Sequence, residues 1–97
     1  MKGYWLILGT EVANQVAQDE YNKLWAPIAD KYQARQNPTK IPPLLKESRN
    51  TARVLIAEFP SYELAKACYE DPAYQEARQF ALKASKRDLL IVEGDLA

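Results

Sequence analysis

The chain has 97 residues, 13 lysines and arginines against 13 aspartates and glutamates, one cysteine and no histidine. Formal neutrality removes the basic surface on which general nucleic-acid binding depends, and a lone Cys68 excludes an internal disulfide. Without histidine there is no Ser-His-Asp triad, no His-ligated haem or zinc site, and no general base of the commonest kind.

This length predicts one domain, residues 1–97, with a thin stability margin. No stretch approaches the ~20 apolar residues of a membrane helix. The apolar run at the start is too short for a signal sequence, so the expected setting is the cytoplasm.

Tyr4–Leu8 reads as a strand closed by Gly9. Ala17, Tyr21, Leu24, Trp25, Ile28 and Tyr32 then recur at helical spacing, predicting a helix over 14–32 with Asn14 as N-cap and a kink at Pro27. Residues 33–52 are the least regular. Asn37-Pro38 and Pro42-Pro43 break any helix, and the one place for a short strand is Leu44–Ser48, confined by proline to a sheet edge. The alternative there is a long structureless loop. Arg53–Phe59 is the clearest strand. Ser61 caps the next helix, which ends near Glu70, and Asp71-Pro72 starts another with N-cap and proline in their preferred places. Ala73, Ala77, Phe80, Ala81 and Ala84 are its expected buried face. Leu89–Glu93 is the last strand, stopped by Gly94.

The order β-α-β-β-α-β predicts a ferredoxin-like α+β fold: a four-stranded antiparallel sheet, order 4-1-3-2, with the helices on one face. A sheet with one wet face should alternate apolar and polar residues. The strong strands instead read Tyr-Trp-Leu-Ile-Leu, Val-Leu-Ile-Ala and Leu-Leu-Ile-Val, apolar on both parities. The helices cover one face only, so the other is expected to pack on a second copy, making a homodimer.

Several local runs carry a family resemblance: Lys2-Gly3-Tyr4-Trp5, Ala26-Pro27 with Lys31-Tyr32, Arg53 followed by Glu58-Phe59-Pro60-Ser61, Tyr69, Pro72-Ala73-Tyr74-Gln75, and Val92-Glu93-Gly94. On these the chain resembles domain-of-unknown-function family 1330, of the dimeric α+β barrel superfamily. The resemblance spans both ends and the second half of the chain. It departs at Gln33-Ala34-Arg35-Gln36 and the proline-rich stretch, where family members usually carry paired glycines and a glycine-rich second strand. It implies the fold and the dimer and brings no reaction with it. The wider superfamily includes cofactor-free monooxygenases, small lactone isomerases and haem enzymes, and the absent histidines count against the last.

In the 4-1-3-2 order Glu58 and Glu93, near the ends of parallel-running strands, are expected at one rim, about 10 Å apart with Tyr4 between them. Glu58 follows four apolar residues and is the candidate catalytic acid or base; the plainer reading is a pair of solvated rim charges. Tyr21, Tyr69 and Tyr74 are candidates to line a pocket for a flat organic ligand, or simply to fill the core. Arg53 and Arg78 are candidate clamps for a carboxylate or phosphate, or members of internal ion pairs. The substrate-binding set is thus Tyr4, Tyr21, Arg53, Tyr69, Tyr74 and Glu93, with no cofactor and no metal. Cys68, on an apolar helix face, reads as a core thiol. An RNA-recognition module shares this topology, but the aliphatic, acidic third strand lacks its basic aromatic motif. Two functional readings follow: a cofactor-independent enzyme or binder of a small organic acid or aromatic molecule, and a non-catalytic accessory or stress-related dimer acting through protein contacts.

Overall fold

The computed structural model describes residues 1–96. In chain order the elements are β1 (Gly3–Gly9), α1 (Gln15–Lys31), β2 (Arg35–Gln36), β3 (Arg53–Phe59), α2 (Tyr62–Glu70), α3 (Pro72–Ala84) and β4 (Arg87–Glu93). The strands form one antiparallel sheet in the order β2-β3-β1-β4, the predicted arrangement read from its other edge.

The strand pleat sends alternate residues to opposite faces. On one face Trp5, Ile7, Ala57 and Phe59 are buried against Tyr21, Trp25 and Ile28 of α1, Ala65 and Cys68 of α2, and Tyr74, Ala77 and Ala81 of α3. Trp5 is the centre of this core. Its ring lies 4.8 Å from Tyr74, 5.2 Å from Phe59 and 5.4 Å from Trp25, centroid to centroid. Its indole N–H donates to the Ala65 carbonyl at 2.9 Å, so a large buried aromatic leaves no polar atom unpaired.

The other face carries three cross-strand rows, Glu58–Tyr4–Val92, Ile56–Leu6–Leu90 and Val54–Leu8–Asp88. The helices lie on the opposite side, and Ile56, Leu90 and Val92 are 40%, 49% and 43% exposed. The double apolar parity of the strands is thus realised as one helix-covered face and one open apolar face.

Caps set the helix boundaries. The side chains of Asn14, Ser61 and Asp71 accept from the backbone N–H groups of Ala17, Leu64 and Ala73 at 3.1, 3.1 and 2.8 Å. α1 runs unbroken through Pro27, held by the burial of Trp25 and Ile28 on either side of it. In α3 the buried face is Tyr74, Ala77, Ala81 and Ala84. Ala73, expected in it, is exposed, and the buried face begins one residue later at Tyr74.

The second strand is not Leu44–Ser48 but Arg35–Gln36. Gln33 adopts φ 56°, which reverses the chain as soon as α1 ends, and the Ala34 N–H closes the turn on the Ala29 carbonyl at 2.9 Å. Arg35 and Gln36 then already lie opposite Glu58 and Ala57. Asn37 extends the edge with its side chain: its Oδ1 accepts from the Ile56 N–H at 2.7 Å and its Nδ2 donates to the Val54 carbonyl at 3.2 Å. An amide side chain thus imitates a strand, and the proline-rich segment need not pair.

Two features of this framework are testable. A Cβ on Gly3 would stand 2.7 Å from the Tyr62 Cα and 2.8 Å from the Ala65 Cβ, so α2 sits where a side chain would be. Gly3→Ala should cost about 1–3 kcal/mol of stability through overpacking, read as a lower urea midpoint; an unchanged midpoint contradicts the close approach. Asp71 also accepts from Lys31 Nζ at 2.8 Å and from the Tyr32 hydroxyl at 2.6 Å. Lys31 and then Tyr32 hold its carboxyl down to about 2. An unfolded aspartate titrates near about 3.9, so the unfolded chain binds the extra proton first on acidification, and the stabilisation is lost between about pH 4 and about pH 2. Asp71→Asn should remove that part of the acid dependence while leaving a capping side chain in place. Parallel wild-type and variant stability curves through this window would contradict it.

Candidate functional site

β1 lies between β3 and β4, and its last residue, Gly9, pairs with the first residue of each: Arg53 on one side and Arg87 on the other. All three belong to the helix-facing parity. A Cβ on Gly9 would meet Arg53 Nη2 at 3.1 Å and Arg87 Cβ at 3.8 Å. A side chain here would crowd the Arg53 guanidinium, whereas against Arg87 it would make only ordinary contact.

Above the row opens a cleft of about 610 Å³ between α1, the segment 39–43 and the starts of β3 and β4. Its apolar wall includes Ile7, Leu55, Trp25, Ala26 and Ala29. Tyr21 and Trp25 present parallel rings 6.5 Å apart at 4°. The Trp25 indole N–H is fixed by Gln36 Oε1 at 2.9 Å.

Arg53 donates from Nε to the Thr10 carbonyl and from Nη2 to Ser85 Oγ, both at 3.0 Å. Arg87 donates from Nη2 to the Tyr74 hydroxyl at 2.6 Å and lies over the Tyr21 ring, its Cζ 5.2 Å from the centroid. Among the described residues the ion pairs are Lys2–Glu58, Lys31–Asp71 and Arg35–Glu58, and none of them involves Arg53 or Arg87. Burial, and after it the nearby Arg87 charge, pull the Arg53 guanidinium below its ordinary range. Two partly buried cations therefore stand side by side with neutral partners only.

Of the residues singled out in the sequence, Tyr21 and Arg53 line this cleft, and Tyr74 stands directly behind it, its hydroxyl 3.1 Å from that of Tyr21. Burial, then Tyr21, push the Tyr74 hydroxyl well above the tyrosine range, so it keeps its proton. Tyr69 belongs to the aromatic core, 6.0 Å from Trp5 and 5.5 Å from Tyr74, and does not line the cleft. The expected rim of two glutamates is not formed. Glu58 pairs with Tyr4, whereas Glu93 pairs with Gly3 one residue back, so the pleat sends Glu58 and Tyr4 to the open face and Glu93 to the other side. Glu58 contacts Lys2 at 3.7 Å and Arg35 at 3.9 Å, away from the cleft. Arg78 does not line the cleft either; Arg87 does. The signal for Arg87 was present, since strand four opens on arginine opposite Gly9 just as strand three does. Reading the strand from Leu89 hid it.

Cys68 is buried in the core, and burial pushes its thiol up to about 12, so it offers no nucleophile. Among the described residues no cluster of three or more His, Cys, Asp or Glu side chains is placed to hold a metal ion. No described helix is long and apolar enough to cross a membrane.

The family model for Domain of unknown function (DUF1330) matches residues 2–95. The chain belongs to this family. Among curated proteins none matches this DUF1330 chain. Among solved structures, it is similar to a protein of unknown function from Rhodopseudomonas palustris, with TM-score 0.73 and 18% identity over 99% of this chain and 84% of that one. It is also similar to a dimeric ferredoxin-like protein of unknown function from Jannaschia sp. CCS1, with TM-score 0.68 and 15% identity over 97% of this chain and 100% of that one. A third, SnoaB from Streptomyces nogalater, is described as a cofactor-independent oxygenase; the TM-score is 0.58 and the identity 16%, over 99% of this chain and 95% of that one. At these identities the likeness establishes the ferredoxin-like fold of the DUF1330 chain.

Proposed function

We propose that the protein binds a small organic anion, an aromatic or short-chain carboxylate, in the cleft above Gly9, and that it works as a homodimer closed through the open face of the sheet. The observation that carries the first part is that Arg53 and Arg87, which face each other across Gly9, both line the cleft and among the described residues form no ion pair, Asp30 of the lining included. Adjacent guanidinium groups repel, and a carboxylate between them turns that repulsion into charge-assisted hydrogen bonding. A cleft of about 610 Å³ is within the usual size of small-molecule sites, and its wall of aliphatic carbon and parallel aromatic rings suits a flat apolar body attached to the acid. The likeness to a cofactor-independent oxygenase supports a small-molecule role and names no reaction, since a fold hosts many chemistries.

The apolar rows Ile56–Leu6–Leu90 and Val54–Leu8 support the second part. A second copy supplies a matching surface by symmetry, and the Jannaschia relative of this fold is described as dimeric. Each subunit's cleft lies on the helix-covered side, so pairing through the open face leaves both clefts free.

Titration calorimetry with benzoate and phenylacetate tests the ligand reading. The wild type should bind, and Arg53→Gln should weaken binding by about tenfold or more, the loss expected for a charge-assisted hydrogen bond. Glu58→Gln should leave it unchanged. Binding indifferent to Arg53, or dependent on Glu58, contradicts the site.

A further inference from the structure

The hydroxyls beside the arginine pair form a hydrogen-bond chain whose direction is settled by what each member can do. A guanidinium only donates, so at the 2.6 Å contact the Tyr74 oxygen accepts from Arg87. Tyr74 is fully buried, and a buried O–H without an acceptor is heavily penalised. Among the described residues its other partner is the Tyr21 hydroxyl at 3.1 Å, and no buried polar side-chain atom there lacks a partner. Tyr74 therefore donates to Tyr21. The Tyr21 oxygen is thus already an acceptor, its own proton is directed away from Tyr74, and Tyr21 lines the cleft. The chain Arg87→Tyr74→Tyr21 thus ends in an O–H that Tyr74 does not use, on a residue that borders the cleft, each bond polarising the next.

We propose that Tyr21 is the selector of this cleft, donating to a second ligand oxygen adjacent to the carboxylate, so that the preferred ligands are 2-oxo and 2-hydroxy acids rather than plain carboxylates. This rests on the arginine-pair reading above. Two hydrogen bonds, of 2.6 and 3.1 Å, separate Arg87 Nη2 from the Tyr21 oxygen. A carboxylate held by the guanidinium groups therefore brings the oxygen on its neighbouring carbon towards the phenol. Arg53, Arg87 and Tyr21 are all donors at this corner, and a ligand satisfies them only with several acceptor oxygens on a short span. The residues assigned to selection differ from those assigned to affinity: Arg53 and Arg87 bind the charge, Tyr21 reads its neighbour, and Tyr74 is a positioning residue.

Benzoylformate and phenylacetate are suitable probes, since both are aryl carboxylates of similar size and only the first has an oxygen on the adjacent carbon. Calorimetry on the full chain at neutral pH should show the wild type preferring benzoylformate by about tenfold, one hydrogen bond's worth of discrimination. Tyr21→Phe keeps the ring and should bring the ratio close to one, weakening benzoylformate more than phenylacetate. Arg53→Gln should weaken both probes in parallel and keep the ratio. Equal affinities in the wild type, or a preference that survives Tyr21→Phe, overturn the selector while leaving the arginine cleft standing. Failure of the wild type to bind either probe overturns both. The wild-type ratio needs no variant, so it decides even where Tyr21→Phe fails to fold.

Discussion

Everything in this molecule is registered on β1. It has a neighbour along its whole length on both sides, and its seven residues, Gly-Tyr-Trp-Leu-Ile-Leu-Gly, alternate between two faces with different duties. The odd positions hold the core together through Trp5 and Ile7. The even positions build the open face through Leu6 and Leu8. Its two glycines share the helix-facing side but serve opposite ends of the sheet. Gly3 makes room for α2 to come close, and Gly9 makes room for the guanidinium of Arg53, which opens the neighbouring strand. Packing governs one end of the strand and electrostatics the other.

The chemistry of the candidate site follows from that division. The chain is neutral overall, yet its cations and anions are not evenly matched in space. Asp71 gathers Lys31 and Tyr32, and Glu58 gathers Lys2 and Arg35, while the arginine corner receives only neutral oxygens. Partly burying two guanidinium groups without acids is unfavourable for folding alone. Local strain of this kind concentrates where a protein meets its ligand. The aromatic layer behind the corner ties this site to the core, since Tyr74 touches Trp5 with its ring and Arg87 with its hydroxyl.

Much of this was legible in the sequence. Helix spacing, the three caps and the apolar parity of the strands are local patterns, and they led to the fold, its strand order and the open face. What escaped depended on register. Whether Glu58 and Glu93 share a rim turns on a single-residue offset in their pairing with β1, which no composition reveals. The prolines leave 44–48 as the place for a second strand, but the edge of β3 is filled by Arg35 and Gln36 after a turn at Gln33 and by the Asn37 side chain, features of geometry that composition does not carry. Tyr74 stands out as a candidate pocket residue without its partner Arg87, because the last strand's apolar run begins two residues beyond the arginine. The family resemblance on Gly3, Trp5, Arg53 and Tyr74 fell on residues that carry the core and the cleft.

The sheet remains the point on which the account stands. Ile56, Leu90 and Val92 lie on a face with no helix over it, and burying that apolar surface between two copies is the favourable outcome of the pattern already present in the strands. Sedimentation equilibrium of the wild type and of Leu90→Lys tests this most directly. The wild type should have the mass of two chains at concentrations of about 1–10 μM, and the lysine variant, with a charge set in the middle of the face, should dissociate by about tenfold or more. A wild type sedimenting as a single stable chain throughout that range would contradict it.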